Sequence, residues 1–200
     1  MYKNIAMDYQ RREEFDRALE FYEKCLESCK RAENAEMEAR CYYKIGLIHE
    51  KLGDLERAVV YVNKFLDICK RDGKKRLAGK AHKKLAELNS KLGYASAAIQ
   101  NLENLLNIAF EDMNKMGQAE AALKLGLLNY KQGLVPTSVT YLTKHFDFAR
   151  QIKECSLVDA ARVNLGIAQA NTRIDKYIDM VMNDVNGLLE WKVKRTFKSD

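Results

Sequence analysis

The sequence predicts an all-α solenoid, a stack of helical hairpins wound into a superhelix, and three observations carry that expectation. Turn formers are scarce, with 10 Gly and one Pro in 200 residues, which leaves too little turn chemistry for an all-β sandwich while good helix formers dominate. An aliphatic residue followed by a small one recurs as Ile5-Ala6, Ile45-Gly46, Leu85-Ala86, Leu125-Gly126 and Leu165-Gly166, always 40 residues apart. Further columns keep the same step: Ala18, Ala58, Ala98 and Ser138; Tyr22, Val62, Leu102 and Leu142; Ser28, Ile68, Ile108 and Phe148. Two amphipathic helices per repeat account for these columns. A single hairpin cannot bury both of its apolar faces, so its neighbours must stack on it.

The repeat divides the chain into five hairpins, approximately 1–33, 34–73, 74–113, 114–153 and 154–186, followed by a capping helix and tail over 187–200. Within each repeat the small residue of the first helix lets its antiparallel partner approach, and a larger side chain there would push the pair apart. Gly53, Gly93 and Gly133 stand seven residues after that small residue, where a left-handed Gly can close the first helix. Apolar periodicity then resumes, as in Ala58, Val62, Phe65 and Cys69, and marks the second helix. Pro136 falls near the start of such a helix, where a missing N–H costs least. His49 shares a column with Tyr9, Asn89, Asn129 and Gln169, which reads as polar helix packing.

The ends depart from the pattern. In the fifth repeat Arg173 replaces the turn Gly and Ile178 the Ala, so Asp175 to Asn186 is expected to pack as a modified hairpin. Leu188, Leu189 and Trp191 then give an apolar stripe on a terminal helix; Leu188 and Trp191 are read as a cap for the array or a docking site. At the other end "MYKNIAMDY" starts inside a first helix. The chain is therefore expected to be part of a longer array, or its first hairpin to rest on a partner.

Several function classes are disfavoured. The amino terminus lacks the apolar core of a signal peptide, and no stretch approaches the roughly 18 apolar residues of a membrane span, so a place in the cytosol or nucleus is expected. Five scattered cysteines do not suit a disulfide framework. Cys25 and Cys29 share a helix face, but no CxxC or nearby His pair completes a tetrahedral metal site, so neither metal nor cofactor is expected. No Ser-His-Asp, paired-carboxylate or Cys-His set appears at a spacing that one helical face would unite, so no enzyme is expected.

The densest charge is "GKKRLAGKAHKK", Gly73 to Lys84, in a chain of net charge +6. It is not a phosphate loop: Gly73 and Gly79 enclose five residues rather than four, and Ala81 follows Lys80 where Ser or Thr is needed. An import signal fits the composition, but the register puts Leu77 and Ala81 in the helix core face. The register instead places Lys84 in a column with Lys44 and Lys124, and Arg40 with Lys80 four residues earlier. Repeat duplication and simple solvation of a helix face would produce the same columns.

"YYKIGLIHEKLGDLERAVVYVNKFLDI", Tyr42 to Ile68, and "ALKLGLLNYKQGLVPTSVTYL", Ala122 to Leu142, resemble tetratricopeptide repeats, with their apolar-small pair, Gly turn and following Ala. The 40-residue repeat is similar to the longer-helix subclass of rapsyn and the receptor-independent G-protein signalling modulators. With "GLLEWKVKR" near its end, the chain is also similar to tetratricopeptide repeat proteins of ciliary and flagellar axonemes. The resemblance implies a right-handed superhelix and a protein-binding scaffold. It implies that Arg40, Lys44, Lys80, Lys84 and Lys124 face the concave groove, joined by Tyr43, Lys83, Tyr130 and Lys131. A basic groove attracts acidic peptide or helix segments. The axonemal likeness further implies partners among axonemal dynein or microtubule-associated complexes.

The two-carboxylate clamp of chaperone-binding relatives, Lys with Asn four residues later, is not met: Lys83 precedes Glu87, and Tyr43 precedes Leu47. Glu50, Glu87 and Glu120 interrupt the expected groove, which disfavours RNA. In repeat five the groove reads Ala160, Val163, Asn164, Ile167 and Ala170 and is largely apolar.

Overall fold

The computed structural model describes residues 2–194, which form eleven α-helices and no strand. In chain order they are α1 (Tyr2–Arg11), α2 (Phe15–Arg31), α3 (Ala35–Lys51), α4 (Leu55–Arg71), α5 (Lys75–Leu92), α6 (Ala95–Glu111), α7 (Lys115–Lys131), α8 (Val135–Ile152), α9 (Cys155–Asn171), α10 (Ile174–Asn183) and α11 (Val185–Lys194). They form two compact units, Met1–Ala121 and Ala122–Asp200, and the division falls within α7.

The turns explain the period. The backbone enters the left-handed region at Glu13, Glu33, Gly53, Gly73, Gly93, Met113, Gly133 and Lys153, once every 20 residues. After α3, Asp54 N–H donates to the His49 carbonyl at 2.9 Å and Gly53 N–H to the Glu50 carbonyl at 3.1 Å. That is the paired closure of a Schellman turn. The next residue then starts a new helix: Asp54 Oδ1 accepts from Arg57 N–H at 3.1 Å. Asn34 does the same for Met37 at 3.0 Å, and Asn114 for Gly117 at 3.0 Å. One helix and one tight turn make a 20-residue module, and two modules make the repeat. The expected left-handed Gly53, Gly93 and Gly133 are present. The equivalent turns at Glu13, Glu33, Met113 and Lys153 escape a search for glycine.

In the first unit α1 packs on α2, α3 on α4 and α5 on α6, while α2 touches α3 and α4 touches α5. Ala6, Ala18, Ile45, Ala58, Val62, Ala86 and Ala98 are all within a few per cent of full burial. The small column is a matter of space: a Cβ on Gly46 would stand 2.9 Å from Val62 Cγ2 and 3.3 Å from the Ala58 carbonyl oxygen. Leu77 departs from the expected core face at 38% exposed, while Ala81 is fully buried. His49 is buried and its ring stacks on Tyr61, centroids 5.3 Å apart.

In the second unit a Cβ on Gly126 would meet Leu142, Ser138 Oγ donates to the Gly126 carbonyl at 2.8 Å, and Asn129 Nδ2 donates to the Leu125 carbonyl at 2.8 Å. Pro136 sits in the first turn of α8. The fifth repeat differs from the expected hairpin over 154–186. Gly166 is exposed with nothing within 4 Å of its Cβ position, and α10 buries no residue. The cause lies at the turn: Arg173 has φ −114° instead of the left-handed conformation that all eight earlier turns use. Without that reversal α10 does not seat on the small residues of α9. It touches α9 and packs more extensively on α11, where Tyr177 and Trp191 meet edge to face at 5.0 Å. Leu188 is half-buried and Leu189 is 55% exposed. Of the expected cap and tail over 187–200, residues 195–200 lie outside the described residues.

Candidate functional site

In the first unit α1, α3 and α5, with Tyr22 of α2 and Phe65, Ile68 and Cys69 of α4, border a pocket of about 360 Å³. Its floor is apolar, built from Met37, Tyr43, Phe65 and Leu77 among others. Its margin carries five cationic side chains, Lys3, Arg40, Lys44, Lys74 and Lys80, against two carboxylates, Glu36 and Asp72. Tyr43 joins this floor to the cations. Its ring packs on Phe65 at 4.9 Å, Lys80 Nζ lies 4.5 Å from its centroid, and burial pushes its phenol pKa up, with Lys84 opposing. A lysine over an aromatic face keeps its charge while its stem covers apolar surface.

Four of the expected groove residues, Arg40, Tyr43, Lys44 and Lys80, are therefore brought together. Arg40 also pairs with Glu36 on its own helix. Lys83 and Lys84 are placed differently. Lys83 Nζ lies 2.7 Å from Glu120. Lys84 Nζ lies 3.2 Å from Glu50 and 3.0 Å from Glu87, with only 19% of its side chain exposed. Lys91 reaches the same Glu50 at 2.6 Å, and Lys75 reaches Glu111 at 2.6 Å. Much of the basic run thus joins α5 to carboxylates of α3, α6 and α7. Burial disfavours charge on Glu50, but hydrogen bonds from Lys91 and Lys84 outweigh it and hold the carboxyl below its usual range. Burial likewise opposes the Lys84 charge, and Glu87 and Glu50 together raise its pKa.

Lys124, Tyr130 and Lys131 belong to the second unit. Tyr130 Oη accepts from Asn171 Nδ2 at 2.6 Å, and Lys131 is exposed in the last turn of α7. Lys3, Lys74, Met37 and Leu77 went unrecognised in the sequence. A signal was present: Met37 and Leu77 stand 40 residues apart, each three residues before Arg40 or Lys80 and so on the same helix face. Sequence spacing did not group Cys41 with Cys25 and Cys29, and α3 brings its thiol to theirs.

Burial lowers the pKa of His49 and of His82, whose Nδ1 lies 2.8 Å from Asn101 Oδ1. The unfolded chain therefore takes up these protons first. Stability present above the ordinary histidine pKa of about 6.5 falls as pH drops through that value toward the depressed folded ones. A second loss follows below the usual carboxylate range, when Glu50 is protonated. Urea melts of the chain between neutral and acidic pH are expected to show midpoints that fall in these two stages.

Residues 1–71 match the family model described as tetratricopeptide repeat. No curated protein matches the sequence closely enough to lend it a function. Among solved structures, the apo form of RapI superposes with TM-score 0.76 at 14% identity, covering 90% of this chain and 50% of that one; the chain thus spans half the length of RapI. A Podosopora anserina protein described as a kinesin light chain with nearly identical TPR-like repeats gives TM-score 0.69 at 15% identity, covering 98% and 96%. BtubC (BKLC) from P. vanneervenii gives 0.68 at 15% identity, covering 98% and 81%. At these identities the likeness is one of fold. The chain is similar to tetratricopeptide repeat proteins by sequence over residues 1–71 and by fold over nearly its whole length.

Proposed function

We propose that the chain is a non-enzymatic scaffold for protein partners, and that its first unit holds an acidic peptide or helix in the pocket around Tyr43. The observation that carries this reading is the excess of cations on the margin of an apolar floor. Such a site suits a segment with hydrophobic anchors flanked by Asp or Glu, the floor taking the anchors and the rim steering the charge. Lys84 is not part of the grip, since Glu50 and Glu87 already hold it.

The test is fluorescence anisotropy with acidic amphipathic peptides. Binding is expected to weaken as salt rises, and Arg40→Glu with Lys80→Glu to weaken it by about tenfold or more, each tenfold being about 1.4 kcal/mol. Lys131→Glu, in the other unit, should change little. Equal affinity of the Arg40/Lys80 variant and the parent would refute the groove assignment.

The finer reading is a structural or assembly role in ciliary and flagellar axonemes, with dynein-related or microtubule-associated partners. Its support is the likeness of "GLLEWKVKR", whose final Arg195 lies outside the described residues. A kinesin light chain description among structures of the same fold is compatible with it. The alternative is a cytosolic adaptor in signalling or polarity complexes, and a third reading is RNA binding. Among the described residues no helix is long and apolar enough to cross a membrane, and the proposed location is cytoplasmic. Imaging in ciliated cells separates the first two readings, and salt-sensitive RNA retention would favour the third.

A further inference from the structure

We propose that Cys25, Cys29 and Cys41 form a three-thiolate site for a trivalent metalloid of the arsenic class. Cys25 and Cys29 are one helical turn apart on α2, and Cys41 faces them from α3. The three Sγ atoms all lie within 4.8 Å of one another, and Cys41 Sγ is 3.4 Å from Cys25 Sγ. Thiolates about 2.3 Å from one shared ion stand roughly 4 Å apart in a trigonal plane, and closer in a pyramid. Small side-chain rotations therefore bring all three onto one centre.

The surroundings select a soft ion. All three thiols are buried, and the thioether residues Met7 and Met37 pack on the same cluster. Among the described residues no His, Asp or Glu joins the set, so the donors are sulfur alone, which hard cations avoid. Access exists: Cys25, Cys29 and Met37 line a cavity of about 270 Å³, and Cys41 and Met37 line the neighbouring Tyr43 pocket.

Charge then chooses among soft ions. Three thiolates carry −3, so a monovalent copper would leave −2 and zinc −1 in an apolar interior, whereas a trivalent centre leaves none. Net charge without a partner is costly there. Thiols in an apolar interior are best taken up by a reaction that starts from their neutral, protonated form. Arsenous acid supplies one: As(OH)3 exchanges its three hydroxides for three thiolates, three S–H and three As–O bonds break, three As–S and three O–H bonds form, and three waters leave. No oxidation state changes.

The proposal is independent of the groove reading. The test uses the full chain reduced with a phosphine and then given one equivalent of arsenite. Native mass spectrometry is expected to show one arsenic bound with three protons lost, and arsenic-edge X-ray absorption to show three sulfur neighbours. Cys25→Ser, Cys29→Ser and Cys41→Ser, each checked for helicity by circular dichroism, should weaken retention at least tenfold. Cys69→Ser and Cys155→Ser should leave it unchanged. The parent chain decides by itself if a variant fails to fold: no retained arsenic, or fewer than three sulfur neighbours, overturns the assignment. Retention that survives all three substitutions overturns it too, as does zinc bound by the three cysteines in preference to arsenite.

Discussion

Gly126→Leu is expected to abolish the cooperative folding of the second unit. A Cβ on Gly126 would stand 2.6 Å from both Cγ and Cδ2 of Leu142 and 3.4 Å from its backbone nitrogen. Leu142 is 1% exposed, so its side chain has no free space into which to swing. Overpacking by a methyl or two costs about 1–3 kcal/mol, and a whole Leu at a helix crossing exceeds the roughly 4 kcal/mol that marks exceptional substitutions. The displacement would also break the bond from Ser138 Oγ to the Gly126 carbonyl. Gly166→Leu is the matched control, since nothing lies within 4 Å of its Cβ position although it occupies the same column. Urea melts followed by circular dichroism should show a large loss for Gly126→Leu and little change for Gly166→Leu. Equal melts would mean that the small column does not set helix approach.

Lys84→Glu is expected to destabilise the first unit by about 1–2 kcal/mol, because it removes a cation from two carboxylates and adds a third. Glu50 is held between Lys84 and Lys91 with its side chain only 15% exposed, so little water is available to screen the repulsion. Double substitution with Glu50→Lys should recover only part of the loss: it restores opposite charges across α3 and α5, but sets a cation at position 50 against Lys91 and leaves the carboxylate at position 84 against Glu87. A first unit that melts like the parent after Lys84→Glu would show that the ion pairs add nothing, in which case Lys84 is as free to bind a ligand as its column first implied.

The fold was legible because its causes are local and repeated. A 20-residue module of helix and turn imprints small, apolar and turn positions at fixed intervals, and the 40-residue step of Ala6, Gly46, Ala86 and Gly126 exposes it without alignment. The fifth hairpin was harder to foresee. Gly166 keeps the column, but a small residue permits close packing without enforcing it, and Arg173 withholds the reversal.

The site was half legible. Arg40, Tyr43, Lys44 and Lys80 lie on one face and could be gathered by register alone. Register cannot say which lysines meet carboxylates from the next repeat. Lys84 and Glu50 are 34 residues apart, and only packing α3 beside α5 shows that they meet. Cys41 was missed for the same reason, since its distance from Cys25 in sequence fits no metal-ligand spacing.

The measurement that tests the central claim most directly is site-specific photo-crosslinking of the intact chain in a cell extract. A photoreactive side chain replaces Leu77, which lines the pocket and is exposed, or Lys131, exposed in the other unit. The account predicts that adducts form at position 77 and map to acidic segments with apolar anchors. They should be lost when Arg40→Glu and Lys80→Glu are added, while position 131 gives few. Adducts that form equally at both positions, or that survive the charge reversal at position 77, would contradict it.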